Sequence, residues 1–268
     1  MRFPSLCALA LLATACGGEP PTQAEVEEAR GRVEQALEGV ERGRNALQVL
    51  GLLPDYTCGE SQRGFVGRAV EGLRAEAACV SAEALAASET LDVLTLHFAE
   101  GGCVLQGLRL EGALLFSFSE GAGRFEVRGD LGRVKVNGRA LDARVSYGTC
   151  GDETTYDVEV RGEMPDASGN RYSVDASVAQ RGGLPLIGGT RLVLDGSGDV
   201  TGPQGTDRTS FEELDYEVGS LLPRAGSLEV QTQDGHRVRA TFRTTLWRLG
   251  EAELEVDGRE SVTVPILR

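Results

Sequence analysis

Val26, Val33, Val40 and Leu47 stand seven residues apart, and Ala29, Ala36, Gly43 and Leu50 follow each of them by three. This is an a/d seam over four heptads, with small residues at most d positions and charges of both signs on the other faces. Thr22 and Glu25 form a capping box directly after Pro20-Pro21, and Gly51 is placed to end the helix. A helix is therefore expected over residues 22–51. Such a helix serves either as a stalk or self-associating coil, or as an element packed on its own domain. Gly31, Gly39 and Gly43 each weaken a free-standing helix by about 1 kcal/mol, which favours packing. A second apolar stripe, Phe65, Ala69, Val70, Leu73 and Ala77, predicts a helix near residues 61–77.

From about residue 91 the apolar period falls to two. Tyr156, Val158 and Val160 alternate with Asp157, Glu159 and Arg161, and Val238, Ala240 and Phe242 alternate with Arg239, Thr241 and Arg243. These are strands with one buried and one wet face, as in an antiparallel sheet. The strands also repeat. "QGLRLEGAL" at 106, "NGRALDARV" at 137, "NRYSVDASV" at 170 and "DGHRVRATF" at 234 align without gaps, with a weaker copy, "QGTDRTSFE", at 204. Between them run "FEVRG", "VEVRG", "LVLDG" and "LEVQT". A spacing of about 32 residues holding two strands reads as a repeated hairpin. The expected fold class is mainly β with N-terminal helices (α+β). An antiparallel meander of about ten to thirteen strands would form a curved sheet, sandwich or barrel-like body, with one or two helices packed on it.

The hairpin order sorts the connections into two groups. Those near 148–153, 180–189, 219–226 and 248–251 belong at one end of the sheet; those near 129–137, 162–170, 196–205 and 232–235 belong at the other. The first end carries two apolar loops, with Leu184, Pro185, Leu186 and Ile187 in one and Leu221 and Leu222 in the other. They serve as a contact lip or fold back over the open end of the core.

The chain starts with Arg2, an apolar run and "LLATACGG", which together form a secretory signal over residues 1–15, too short to span a bilayer. Ala13-Thr14-Ala15 also suits ordinary cleavage. Six cysteines are present: Cys7, Cys16, Cys58, Cys79, Cys103 and Cys150. Cys7 would leave with the signal, and an unmodified Cys16 would be an odd thiol beside four that can pair. The segment 1–18 resembles the lipobox of bacterial lipoproteins, although Ala13 stands where Leu is commonest. The resemblance implies an acylated Cys16 bearing several chains such as palmitate, enough for a stable membrane anchor. By analogy with sorting in enteric bacteria, Gly17 points to the outer membrane of the cell envelope. Residues 16–21 would then be a short linker, 22–90 a helical region and 91–268 the β domain. If the second helix is unbroken, Cys58 and Cys79 lie too far apart to bond, which favours Cys58 with Cys103 or Cys150. All three connectivities stay formally open.

The net charge of −14 becomes −15 without Arg2, so nucleic acid and anionic lipid surfaces are poor partners. His97 and His236 lack metal-like neighbours, no C-x-x-C occurs, and no nucleophile or nucleotide motif follows a strand. "DGSGD" (Asp195, Ser197, Asp199) and "DASGN" (Asp166, Ser168, Asn170) resemble the start of a calcium loop but lack its remainder, so turn chemistry is expected. The wet-face carboxylates read as solvated surface. No enzyme, metal or cofactor is expected. The expected role is that of a membrane-anchored envelope lipoprotein, structural or binding, with a protein or lipid partner. The alternative is a carrier of lipid or another apolar ligand in the concavity of a curved sheet, an arrangement that bacterial lipoprotein-carrier half-barrels share by fold analogy.

Overall fold

A computed structural model describes residues 19–86, 91–121, 124–150, 157–166, 168–180, 191–203, 205–217, 220–243 and 250–266. It shows two helices on one antiparallel sheet that curves without closing. The helices are α1 (Gln23–Gln48), continued by a 3-10 turn (Val49–Leu52), and α2 (Gln62–Glu76). The strands are β1 (Val80–Ala86), β2 (Leu91–Leu105), β3 (Leu108–Gly121), β4 (Arg124–Asp130), β5 (Val134–Val136), β6 (Arg139–Ala140), β7 (Asp142–Thr149), β8 (Asp157–Pro165), β9 (Arg171–Gln180), β10 (Arg191–Gly202), β11 (Gly205–Glu217), β12 (Ala225–Gln231), β13 (Arg237–Arg243), β14 (Glu251–Val256) and β15 (Val262–Pro265). Strands pair in chain order from β1 to β15, with the small hairpin β5/β6 set against β3 instead of interrupting β4 and β7.

The two sequence series fall on alternate strands of this meander. The longer series lies on β3, β6–β7, β9, β11 and β13, and the shorter on β4, β8, β10 and β12. Each repeat is thus one up strand and one down strand, and each turn chemistry recurs. Asn137 and Gly138 both adopt positive φ, 52° and 77°, as do Gln106 with Gly107 and Asp257 with Gly258. Two successive positive-φ residues give the turn whose twist matches that of flanking strands.

Two elements differ from the expectation. The sheet starts at β1, before the change of period at residue 91, because "VSAEALA" has small side chains and little alternation for a pattern to reveal. "DGSGD" lies inside β10 instead of forming a turn. The pairing of β10 with β11 slips between Leu194 and Gly196, and Asp195 Oδ1 accepts from Glu213 N at 2.7 Å, so the aspartate caps a bulge. "DASGN" is a turn as expected: Asp166 Oδ1 accepts from the amides of Ser168 and Asn170.

The helix α1 lies across the buried face of the sheet, in contact with β7 through β10 and β12 through β14. The capping box forms: Glu25 N donates to Thr22 Oγ1 at 3.3 Å and Thr22 N donates to Glu25 Oε2 at 2.7 Å. Of the heptad seam, Ala29, Val33, Ala36, Val40, Gly43, Leu47 and Leu50 are all buried in the chain's own core. The seam therefore serves packing within the chain. Beside the seam, Gly39 lets the helix approach closely: a Cβ there would sit 3.3 Å from the Tyr172 ring. One part of the amphipathic pattern misleads. Arg42 and Arg44 are buried, Arg42 over the Tyr172 ring (4.9 Å) and donating to Pro165 O, Arg44 over the Tyr216 ring (4.2 Å) and donating to Ser220 O. Cation–π contact and a carbonyl acceptor offset the desolvation of each guanidinium.

The shorter α2 covers β1 to β3. Phe65, Ala69 and Leu73 are buried, and Phe65 meets Tyr56, Phe118 and Phe125 edge to face. Cys58 bonds Cys150 and Cys79 bonds Cys103. The helix separates Cys58 from Cys79, as its length requires, and each of its flanks is tied to the sheet.

Candidate functional site

Cys16, Leu184, Pro185, Leu186 and Ile187 lie outside the described residues. At the N-terminal end of α1, Arg259, just past β14, donates from Nη2 and Nη1 to Glu25 at 3.0 and 3.2 Å. That bidentate pair and the cap hold the Glu25 carboxyl down to about 2. Asp257 accepts from Arg237 N and sits 2.8 Å from His236 Nδ1, and the carboxylate holds the imidazole above its ordinary value. A turn deeper, Arg32 Nη1 donates at 2.6 Å to Asp207, whose other oxygen accepts from Gln233 N. The N-terminus of α1 is thus fastened to the turns between β12 and β13 and beyond β14.

At the opposite end of the sheet, Leu221 is exposed while Leu222 packs against the core and Pro223 is buried. Ser220, beside them, receives Arg44. Of the two leucines of this loop, one is exposed and the other covers the core.

Among the described residues neither imidazole is hydrogen-bonded to a hydroxyl or thiol nucleophile. His97 is exposed on β2. His236 has Asp257 on one nitrogen and Asp234 at 3.9 Å from the other, so an acid stands where a hydroxyl or thiol nucleophile would be needed. Among the described residues no cluster of His, Cys, Asp and Glu has the makings of a metal site, and no helix is long and apolar enough to cross a membrane.

Among the described residues, depressions open to solvent occur on both sides of the sheet. One of about 450 Å3 lies near the N-terminal end of α1, between the helix and the turns around Asn170 and Pro203. Two lie on the outer face of the sheet, the side away from α1. The first, about 540 Å3, is lined by Leu115, Ser117, Arg128, Arg144, Ser146 and Arg161 among others. The second, about 490 Å3, runs from Arg161 to Arg208 past Ser173, Asp175, Ser197 and Asp199. Sequence reading took these outward charges as solvated surface, because only strand register brings them side by side. No protein-family model, curated protein or solved structure matches the chain.

Proposed function

We propose that the chain is a lipoprotein of the bacterial cell envelope, probed from its surroundings through a β-body with a binding role and held to the outer membrane by acylated Cys16. The observation that carries this reading is the pairing of the body cysteines. Cys58–Cys150 and Cys79–Cys103 use all four, so Cys16 has no partner left in the body and suits lipidation. Two disulfides also suit an oxidising compartment outside the cytoplasm.

Geometry supports an outward-directed role. Five residues, Gly17 to Pro21, separate Cys16 from the cap of α1, a reach of at most roughly 18 Å. The helix start is fastened to the turn end of the sheet at Arg259, whereas Leu221 lies beyond the other end of β11, a 13-residue strand about 40 Å long. A body standing on its anchor presents the apolar loop away from its own membrane, to a protein or lipid partner. A carrier of apolar ligand finds less support, since the seam of α1 fills the concave face that a ligand would occupy. Replacing Cys16 by Ser and fractionating the envelope tests the anchor. The variant is expected in the soluble fraction with its acyl mass lost; a variant as membrane-bound as the parent would refute it.

A further inference from the structure

On the outer face, antiparallel register sets Leu115, Asp130, Arg144, Arg161, Asp175 and Ser197 in one row across β3, β4, β7, β8, β9 and β10. Arg144 and Arg161 are therefore directly opposed. Like charges facing each other across an antiparallel pair destabilise it, so this pairing needs a reason. Arg161 finds Asp175 at 3.0 Å on its far side. Arg144 has no hydrogen bond or ion pair among the described residues, although Asp130 stands opposite, where it accepts instead from Gly132 N. The adjacent row places Arg128 between Ser117 and Ser146. Leu115, Asp130, Arg144 and Arg161 of the first row, with Ser117, Arg128 and Ser146 of the second, line the depression of about 540 Å3.

This depression and its neighbour meet at Arg161 and form one groove across the strands from β3 to β11. At about 4.8 Å per strand it extends roughly 29 Å. Its walls alternate guanidinium, carboxylate and small hydroxyl groups, with Leu115 as the one large apolar side chain. Three properties of the occupant follow. It is long, to use both depressions. It carries few and separated negative charges, because Glu126, Asp130, Glu163, Asp175 and Asp199 also line the groove and Glu126 already pairs Arg128 at 3.0 Å, which leaves the Arg144–Arg161 opposition as the place for an anion. It is otherwise rich in hydroxyls, which match carboxylate acceptors and serine.

We propose that this groove binds an acidic glycan, with a sugar carboxylate held between Arg144 and Arg161 and the chain's hydroxyls on Asp130, Asp175, Ser146 and Ser173. The assignment deepens the reading of the chain as an envelope binding module, and it stands or falls separately from the anchor. The anchor is tested by fractionation of the Cys16→Ser variant, the groove by ligand titration.

The full chain in detergent is titrated calorimetrically at constant ionic strength with a hyaluronate hexasaccharide, which is charged on alternate sugars, with neutral maltohexaose and with poly-glutamate. The hyaluronate hexasaccharide is expected to bind and the other two not. Arg144→Gln is expected to weaken binding at least tenfold while leaving the melting temperature equal to or above that of the parent, since it removes a like-charge opposition and breaks no contact. No binding by the parent, or undiminished binding by Arg144→Gln, overturns the site. Poly-glutamate binding as tightly overturns the glycan in favour of an acidic peptide. A lower melting temperature for Arg144→Gln overturns the argument by making the residue structural.

Discussion

The two helices cover neighbouring parts of one sheet and are held by different means. The short α2 brings Phe65 into a nest of Tyr56, Phe118 and Phe125 and is tied at both flanks by disulfides. The longer α1 crosses more strands and packs mostly valines, alanines and glycines around Leu37 and Leu47, and its other fastenings are polar: Glu25–Arg259, Arg32–Asp207, Arg42 on Tyr172 and Arg44 on Tyr216. One helix is fixed by large apolar volume and covalent closure, the other by close approach and aligned charges. The first kind of attachment resists single polar changes and fails when volume is removed. The second tolerates loss of small side chains but not their enlargement.

The largest effect is expected where volume is greatest. Phe65 is fully buried, and Phe65→Ala should lower stability by about 3–5 kcal/mol in chemical denaturation, because a large cavity opens between helix and sheet. A loss near that of an exposed substitution would show that the aromatic nest is not what holds α2. Next comes the closure. Cys58 and Cys150 are 92 residues apart, and replacing both by Ser should cost about 2–5 kcal/mol. Hydrogen exchange should then accelerate in α2 and leave the centre of α1 unchanged. Equal acceleration in both helices would erase the distinction drawn between them.

For α1 the informative substitutions are its glycines. Gly39→Val forces two methyl groups towards Tyr172, whose ring already lies 3.3 Å from the position of a Cβ, and should destabilise by about 1–3 kcal/mol. Gly31 has nothing within 4 Å of that position, so Gly31→Ala should stabilise by about 1 kcal/mol through helix propensity alone. Paired thermal melts of the two variants sharpen the comparison. The same sign for both would mean that close approach does not govern the docking of α1.

How much of this was legible in the sequence follows from range. The capping box, the seam and the strand repeat are local periodicities, and they placed α1, α2 and the hairpins on the right elements. The preference against a Cys58–Cys79 bond also rests on local geometry, since a helix has a fixed rise. The burial of Arg42 and Arg44 was not legible, because the rings that accept them, Tyr172 and Tyr216, lie far along the chain and only sheet curvature brings them to the helix. The same holds for the candidate groove. Arg144 and Arg161 each look like ordinary wet-face residues; their opposition exists only once β7 and β8 are in register. The β1 strand was missed for the reverse reason, since its small side chains carry no period to read.

The smallest effect tests the polar fastening at the N-terminal end of α1. Glu25, held down to about 2 against an ordinary 4.5, adds stability above pH 4.5 that is lost as pH falls through about 2. His236 titrates above its ordinary 6.5, so its contribution is present in full below pH 6.5 and is lost as pH rises through the raised value. Asp257 and Asp234 face the imidazole, Glu28 of α1 adds to their field, and Arg259 bridges Asp257 to Glu25 at 3.9 and 3.0 Å. Both contributions therefore coexist between pH 4.5 and 6.5. All of these groups are solvent-screened, so the difference is small and is best read against a variant. The parent should melt above His236→Gln near pH 5.5, and the gap should close as pH approaches 9. A gap that widens with pH would reverse the sign of the linkage and leave Asp257 without its role in fastening the start of α1.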